Sequence, residues 1–210
     1  MGREHEAIGL ERDDLDPDPI EQFGKWMQDA LGKGILLPNT MTLATATAEG
    51  VPSARMVLLK GVDPAGFTFF TNYESRKGRE LAANPRAALV FHWPELARQV
   101  RVSGSVTRLP EEEYDEYFST RPPGSKLGAW ASPQSETIEG RRELEQRVDR
   151  LASEHPGADM PRPPYWGGFR VDPTEIEFWQ GRANRLHDRF LYERAGSRPG
   201  NRWSIRRLAP

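Results

Sequence analysis

Residues 180–189 read QGRANRLHDR and put three arginines, one histidine and one aspartate into ten positions directly after Phe178 and Trp179. If this stretch is a strand, alternation places Arg185, His187 and Arg189 on one face with Trp179, and Leu186 and Asp188 on the other. Like charges sharing a face repel, so an anionic or π-rich partner is expected there. Asp188 can neutralise one arginine, but that leaves a histidine set between two cations unexplained.

Three other clusters carry cations. Arg55 and Lys60 stand five apart in ARMVLLKG, so a regular strand points them to opposite faces, one for each of two sites. Taken alone, the segment reads more simply as strand-end charges reaching water. Ser75, Arg76, Lys77 and Gly78 combine a hydroxyl, two cations and free backbone N–H groups at an expected helix start. That suits a phosphate, although basic helix starts on solvated faces are common. Tyr117 and Arg121 are i and i+4 on one expected helical face, with Ser125 in a loop that can fold back towards them. This is a second anion pocket or, with equal weight, an exposed helix end with Arg as dipole partner. Two phosphate-like pockets and a cation-rich aromatic face suggest two phosphorylated planar ligands held together, with the chemistry supplied by a bound cofactor.

The elements that must position these groups follow from periodicity. Residues 1–19 are charged, end in Pro17 and Pro19, and are expected to form a mobile arm before a single domain over 20–210. Ile20, Phe23, Met27, Ala30 and Leu31 recur at helical spacing. MTLATAT and VPSARMVLLK read as a hairpin, Gly61–Gly66 as a turn and FTFFTN as the next strand. A short helix over 75–84 stops before Pro85. RAALVFHW and RQVRVSGSVTRL are strands, followed by a helix from Pro110 to about Arg121 and a longer one near 136–154. WGGFRVD, EIEFWQG, DRFLYER and RWSIRRL close the chain as four strands. The order predicts an α+β fold, an antiparallel barrel with helices packed on it.

Composition sets the bounds. The 210 residues carry 29 basic and 31 acidic side chains and no cysteine, which argues against nucleic acid, an anionic membrane, disulfides or a thiolate metal site. The four histidines are scattered, so no metal is expected. Neither a signal peptide nor a membrane span is legible, and a cytoplasmic protein is expected.

RMVLLKG, FFTNYESRKGRELAANP, RQVRVSGSV, YFSTRPPGSKLGAWASPQS, YWGGFRV and EIEFWQGRANRLHDRFLYER, then RLAP, occur in the order found in the pyridoxamine 5′-phosphate oxidases. From about residue 20 to Pro210 the chain resembles that family. The resemblance implies an FMN-binding split β-barrel, a homodimer with FMN in two intersubunit clefts, and oxidation of pyridoxine or pyridoxamine 5′-phosphate by O2. It assigns Arg55, Arg76 and Lys77 to the FMN phosphate. Met56, Val57, Leu58, Leu59, Lys60, Phe70 and Thr71 would line the cofactor, with Gln99, Gln134, Ser135, Trp179 and Arg189 completing its site. Lys60, Tyr117, Arg121 and Ser125 would grip the substrate phosphate, while Arg185, Leu186 and His187 close on the substrate ring, Arg185 and His187 as the catalytic pair. Two positions depart from the family pattern: His5 stands where a lid tyrosine is expected, and Leu37 where an Asp precedes the proline. A split-barrel flavin or deazaflavin reductase, and a non-catalytic flavin or pyridoxal phosphate carrier, are the rival readings.

Overall fold

Two long strands organise the molecule. In a computed structural model describing residues 9–158, 160–194 and 203–210, β6 (Arg98–Arg108) pairs antiparallel along its whole length with β7 (Trp166–Gln180), Arg98 opposite Gln180 and Arg108 opposite Phe169. Around them run β1 (Thr40–Ala46), β2 (Pro52–Leu58), β3 (Gly61–Asp63), β4 (Gly66–Asn72), β5 (Arg86–Trp93), β8 (Asp188–Arg194) and β9 (Trp203–Leu208). The sheet order is β2-β1-β5-β6-β7-β4-β3, with β8 added to β7 and β9 to β8. The first half of β7 pairs with β4 and the second with β8, so this one strand belongs to both arms of a curled, half-barrel sheet.

The expected break between WGGFRVD and EIEFWQG is therefore not a chain reversal. Pro173 lacks the N–H a ladder needs, and the structure absorbs it with a register shift at Ser103/Gly104. Gly104 has no room for a side chain, because a Cβ would run into the Asp172 carbonyl.

The concave side of the sheet is closed by α1 (Pro19–Gly32). Asp18 caps it, its carboxylate accepting from the Ile20 N–H at 2.8 Å, and Pro19 occupies the first turn. Phe23 is fully buried and meets Phe67 and Phe91 edge-on at 5.0 and 4.8 Å, while Trp26 meets Phe178 at 5.1 Å. Of the other helices, α2 (Arg76–Ala83) adds Leu81 to this core, while α3 (Glu111–Ser119), α4 (Pro123–Ala131) and α5 (Arg141–Glu154) lie outside it. Among the described residues no helix is long and apolar enough to cross a membrane.

Several expectations are corrected. The Gly61–Gly66 turn contains β3, which pairs with β4. The loop expected at Ser125 is the first turn of α4, begun by Pro123 at N1. The helix expected near 136–154 starts at Arg141, and α3 stops at Ser119, before Arg121. Arg185 and His187 do not lie on a strand: Ala183–Arg185 is a 3-10 turn with Asn184 and Arg185 at positive φ, and β8 begins only at Asp188. Within the expected arm, Glu11–Asp14 and Pro17 are exposed, but the segment is anchored to the barrel. Leu10 is buried, its N–H donates to Asp188 at 3.1 Å, and Tyr192 donates to the Asp16 carbonyl at 2.7 Å. His5 lies outside the described residues. Leu37 adopts a left-handed conformation, φ 51°, which Asp or Asn tolerates better than Leu.

Replacing Phe23 by Ala removes the ring on which the barrel closes. The variant is expected to lose roughly 3–5 kcal/mol, read as an unfolding midpoint lower by roughly 10 °C; a change within about 2 °C contradicts this view of the core.

Candidate functional site

A cavity of about 810 Å³ opens between β2, β4 and the α3–α4 junction. Its wall includes Arg55, Met56, Val57 and Leu58 from β2, Lys60 just beyond it, Phe70 and Thr71 from β4, Lys77 from α2, and Tyr117, Arg121, Ser125 and Gln134. Twelve of the residues expected from the sequence thus meet in one place. Arg55 and Lys60, expected on opposite faces, line the same cavity because β2 ends at Leu58 and the chain turns, the Lys60 N–H donating to the Thr68 carbonyl at 2.9 Å. Leu59 points away and is buried in the core.

One end of the cavity is a cation cradle at the start of α2. Ser75 caps this helix, its hydroxyl accepting from the Gly78 N–H at 3.3 Å. Gly78 is required because a Cβ would meet the Tyr73 carbonyl, so the first turn is pressed onto the end of β4. Lys77 is buried and donates to Thr71 at 3.2 Å and to Gln134 at 3.0 Å. Burial and then the neighbouring Arg55 push its ammonium pKa down to about 8. Arg76 and Ser135, also expected here, do not line the cavity; the Arg76 backbone N–H donates to the Ser135 hydroxyl at 3.1 Å.

The carboxylate that organises the cradle is Glu80, which the sequence reading missed. It is nearly inaccessible and accepts from Ser53 at 2.6 Å, Arg76 at 2.8 Å, Arg55 at 3.4 Å and, by a very short bond, Thr45. Burial raises its pKa, but the Ser53 and Thr45 hydroxyls and the Arg76 guanidinium outweigh that and hold it at about 2. The available signal was its i+4 spacing from Arg76. Asn72, Thr120, Ser132 and Trp166 also line the cavity without having been anticipated.

The other end is aromatic and cationic. Phe70 stacks on Tyr117 at 4.1 Å and 10°, and Trp166 lies nearly parallel to both. The ammonium of Lys60 is 5.7 Å from the Tyr117 ring and the guanidinium of Arg121 is 4.8 Å from Trp166. Arg121 Nη1 is buried without a hydrogen-bond partner among the described residues.

The remaining expected residues form a separate patch, and none of them lines the cavity. Gln99, Trp179 and Arg189 sit side by side across β6, β7 and β8, on the face opposite the buried Val100, Phe178 and Phe190. The partners expected for this cationic face are present within the chain. Glu177 accepts from Arg189 at 2.8 and 3.1 Å and from Arg101 at 3.2 Å, which raises the Arg189 pKa. The His187 ring lies 4.5 Å from that of Trp179, and its Nδ1 accepts from the Arg182 N–H at 3.1 Å. Asp188 holds Arg207 at 3.1 Å and Arg182 at 3.7 Å. Arg185 and Leu186 are exposed.

Residues 27–155 match the family model described as pyridoxamine 5′-phosphate oxidase, and residues 166–210 match that of the pyridoxine 5′-phosphate oxidase C-terminal dimerisation region. The chain belongs to the pyridoxamine 5′-phosphate oxidase family. It is 60% identical to the pyridoxine/pyridoxamine 5′-phosphate oxidase of Rubrobacter xylanophilus over all of this chain and 95% of that one. Among solved structures, PhzG from Burkholderia lata 383, in complex with tetrahydrophenazine-1-carboxylic acid, superposes with a TM-score of 0.89 at 34% identity, covering 98% of both chains. An FMN-binding protein of Nostoc punctiforme related to pyridoxamine 5′-phosphate oxidase shares the fold, with a TM-score of 0.72 at 18% identity over 93% of this chain and all of that one. The family places the curled sheet among the split barrels.

If the cradle holds a phosphate, Lys77 should make its binding pH-dependent. A lysine whose pKa is lowered to about 8 is charged below that pH and neutral above it, so FMN titrated into the cofactor-free protein is expected to bind more weakly as pH rises from 7 to 9, approaching tenfold per unit above 8. Lys77→Met should bind more weakly and lose this dependence; an unchanged pH profile in that variant contradicts the assignment.

Proposed function

We propose that the protein is an FMN-dependent oxidase that converts pyridoxine 5′-phosphate and pyridoxamine 5′-phosphate to pyridoxal 5′-phosphate, with O2 as acceptor, and that it works in the cytoplasm as a homodimer with residues 20–210 as one functional domain. The observation that carries this reading is one cavity with two separate cation groups, one at the start of α2 and one at the α3–α4 junction, joined by aromatic and apolar walls. The donor set fits FMN: two arginines, a lysine and a helix N-terminus for its phosphate, with Met56, Val57, Leu58, Phe70 and Thr71 beside the ring system. FMN held there would supply hydride-accepting chemistry for oxidation of the substrate, with O2 as final acceptor and hydrogen peroxide as by-product.

The chain's own residues bind, orient and shield. Lys60, Tyr117, Arg121 and Ser125 hold the substrate phosphate; the Arg121 nitrogen without a partner is the donor awaiting it. A rigidly held phosphate fixes the rest of a small substrate, so alignment accounts for much of the rate. Because Gln99, Trp179, Arg185, Leu186, His187 and Arg189 lie on the C-terminal patch, away from the cavity of their own chain, they act on the partner's cavity. The match of residues 166–210 to a dimerisation region supports this arrangement. His187 accepts at Nδ1, which leaves Nε2 carrying a proton as a donor towards the substrate ring oxygen, and Arg185 adds a cation where negative charge develops. A reductase or carrier of the same fold shares the α2 cradle; the Tyr117, Arg121 and Ser125 group favours a phosphorylated substrate.

Purified protein carrying FMN is expected to bleach when pyridoxine 5′-phosphate is added without oxygen, and to recover its colour in air with peroxide and pyridoxal 5′-phosphate formed. Bound flavin that never bleaches rejects the oxidase reading. Arg185→Ala and His187→Ala should each slow turnover about a hundredfold while retaining FMN; parallel loss of cofactor contradicts their roles.

A further inference from the structure

Arg121 is held differently from the other arginines of the site. Arg55 donates to Glu80 and Arg189 to Glu177, so each shares its charge with a carboxylate. Among the described residues Arg121 has no carboxylate partner and its side chain makes no hydrogen bond. Its guanidinium rests on ring faces instead, 4.8 Å from the Trp166 centroid and 5.5 Å from that of Phe118.

Trp166 is fixed in turn. Its N–H donates to the Pro163 carbonyl at 3.0 Å, and its carbonyl accepts from Arg162 at 2.8 Å. Its ring lies within 3° of parallel to Phe70, 5.3 Å away, and meets Phe118 edge-on at 5.1 Å. Phe70 comes from β4 and Phe118 from α3, so the indole locks the sheet to the helix that precedes Arg121.

We propose that Trp166 is a positioning and specificity-determining residue: its indole face orients Arg121 while leaving the guanidinium's charge and N–H fork uncommitted for a phosphate monoester dianion. A carboxylate would orient the side chain equally well, but would occupy the fork and cancel the charge. An aromatic face attracts the cation through its quadrupole and takes none of its hydrogen-bond donors. Burial lowers the Arg121 pKa, as expected of a cation set among rings before its anion arrives. The inference rests on the reading of this cavity as a site for a phosphorylated substrate.

The test compares FMN-loaded wild type, Trp166→Leu and Trp166→Phe for binding of inorganic phosphate by calorimetry and of pyridoxal 5′-phosphate by absorbance, then for KM and kcat with pyridoxine 5′-phosphate. Trp166→Leu is expected to weaken both ligands and raise KM by about tenfold, with kcat and FMN affinity within about twofold of wild type. Trp166→Phe keeps a weaker π face, so it should recover most of the loss and remain about threefold impaired. If Trp166→Leu does not fold, Trp166→Phe decides alone, and phosphate affinity equal to wild type overturns the proposal. FMN loss in step with phosphate loss overturns it too, since that marks a purely structural residue. Should wild type bind phosphate yet fail to oxidise pyridoxine 5′-phosphate, the reaction assigned above fails, while the role of Trp166 is still decided by the phosphate affinities.

Discussion

The site depends on keeping cations close together while no ligand is bound. Arg55, Arg76 and Lys77 are drawn onto one short stretch of surface, and their repulsion would open it if nothing opposed them. Glu80 opposes them from beneath, buried and ionised, with Ser53 and Thr45 satisfying its oxygens. Three cations and one carboxylate leave two positive charges, which matches a phosphate monoester dianion. A second buried carboxylate would fill the cradle from inside; without Glu80 the arginines would lack a fixed direction.

This arrangement explains why the fold is built around it. Thr45 and Ser53 reach Glu80 only because β1 and β2 pair in the register that sets these two residues opposite each other. Lys77 reaches Thr71 and Gln134 only because α2 starts directly after β4 and is pressed onto it at Gly78. The C-terminal patch repeats the device on a smaller scale. There Glu177 sits between Arg101 and Arg189.

Much of this was legible in the sequence. Alternation along β6, the helical periodicity of α1 and the N-terminal signal of α2 follow from side-chain type and spacing, whereas the membership of the cavity was implied by the resemblance to the pyridoxamine 5′-phosphate oxidases. What escaped depended on tertiary context. Pro173 reads locally as a break, and only a bulge beside it, at Thr174 of the same strand, makes it tolerable. Pro122 and Pro123 read as loop, although Pro at the first helical position starts α4. RLHDR alternates like a strand, yet Asn184 and Arg185 at positive φ turn the chain before β8 begins. Glu80 and Trp166 were overlooked because each serves the site through another residue, and such roles leave no mark on local spacing.

On the proposed function, the cavity of one chain and the C-terminal patch of its partner make one site. It is tested most directly by mixing two inactive homodimers, one carrying Arg121→Ala and the other His187→Ala, under conditions that exchange subunits. If each site takes Arg121 from one chain and His187 from the other, every mixed dimer holds one intact site and activity should rise to about a quarter of wild type. If both residues act within one chain, no intact site forms and the mixture stays as inactive as its parents.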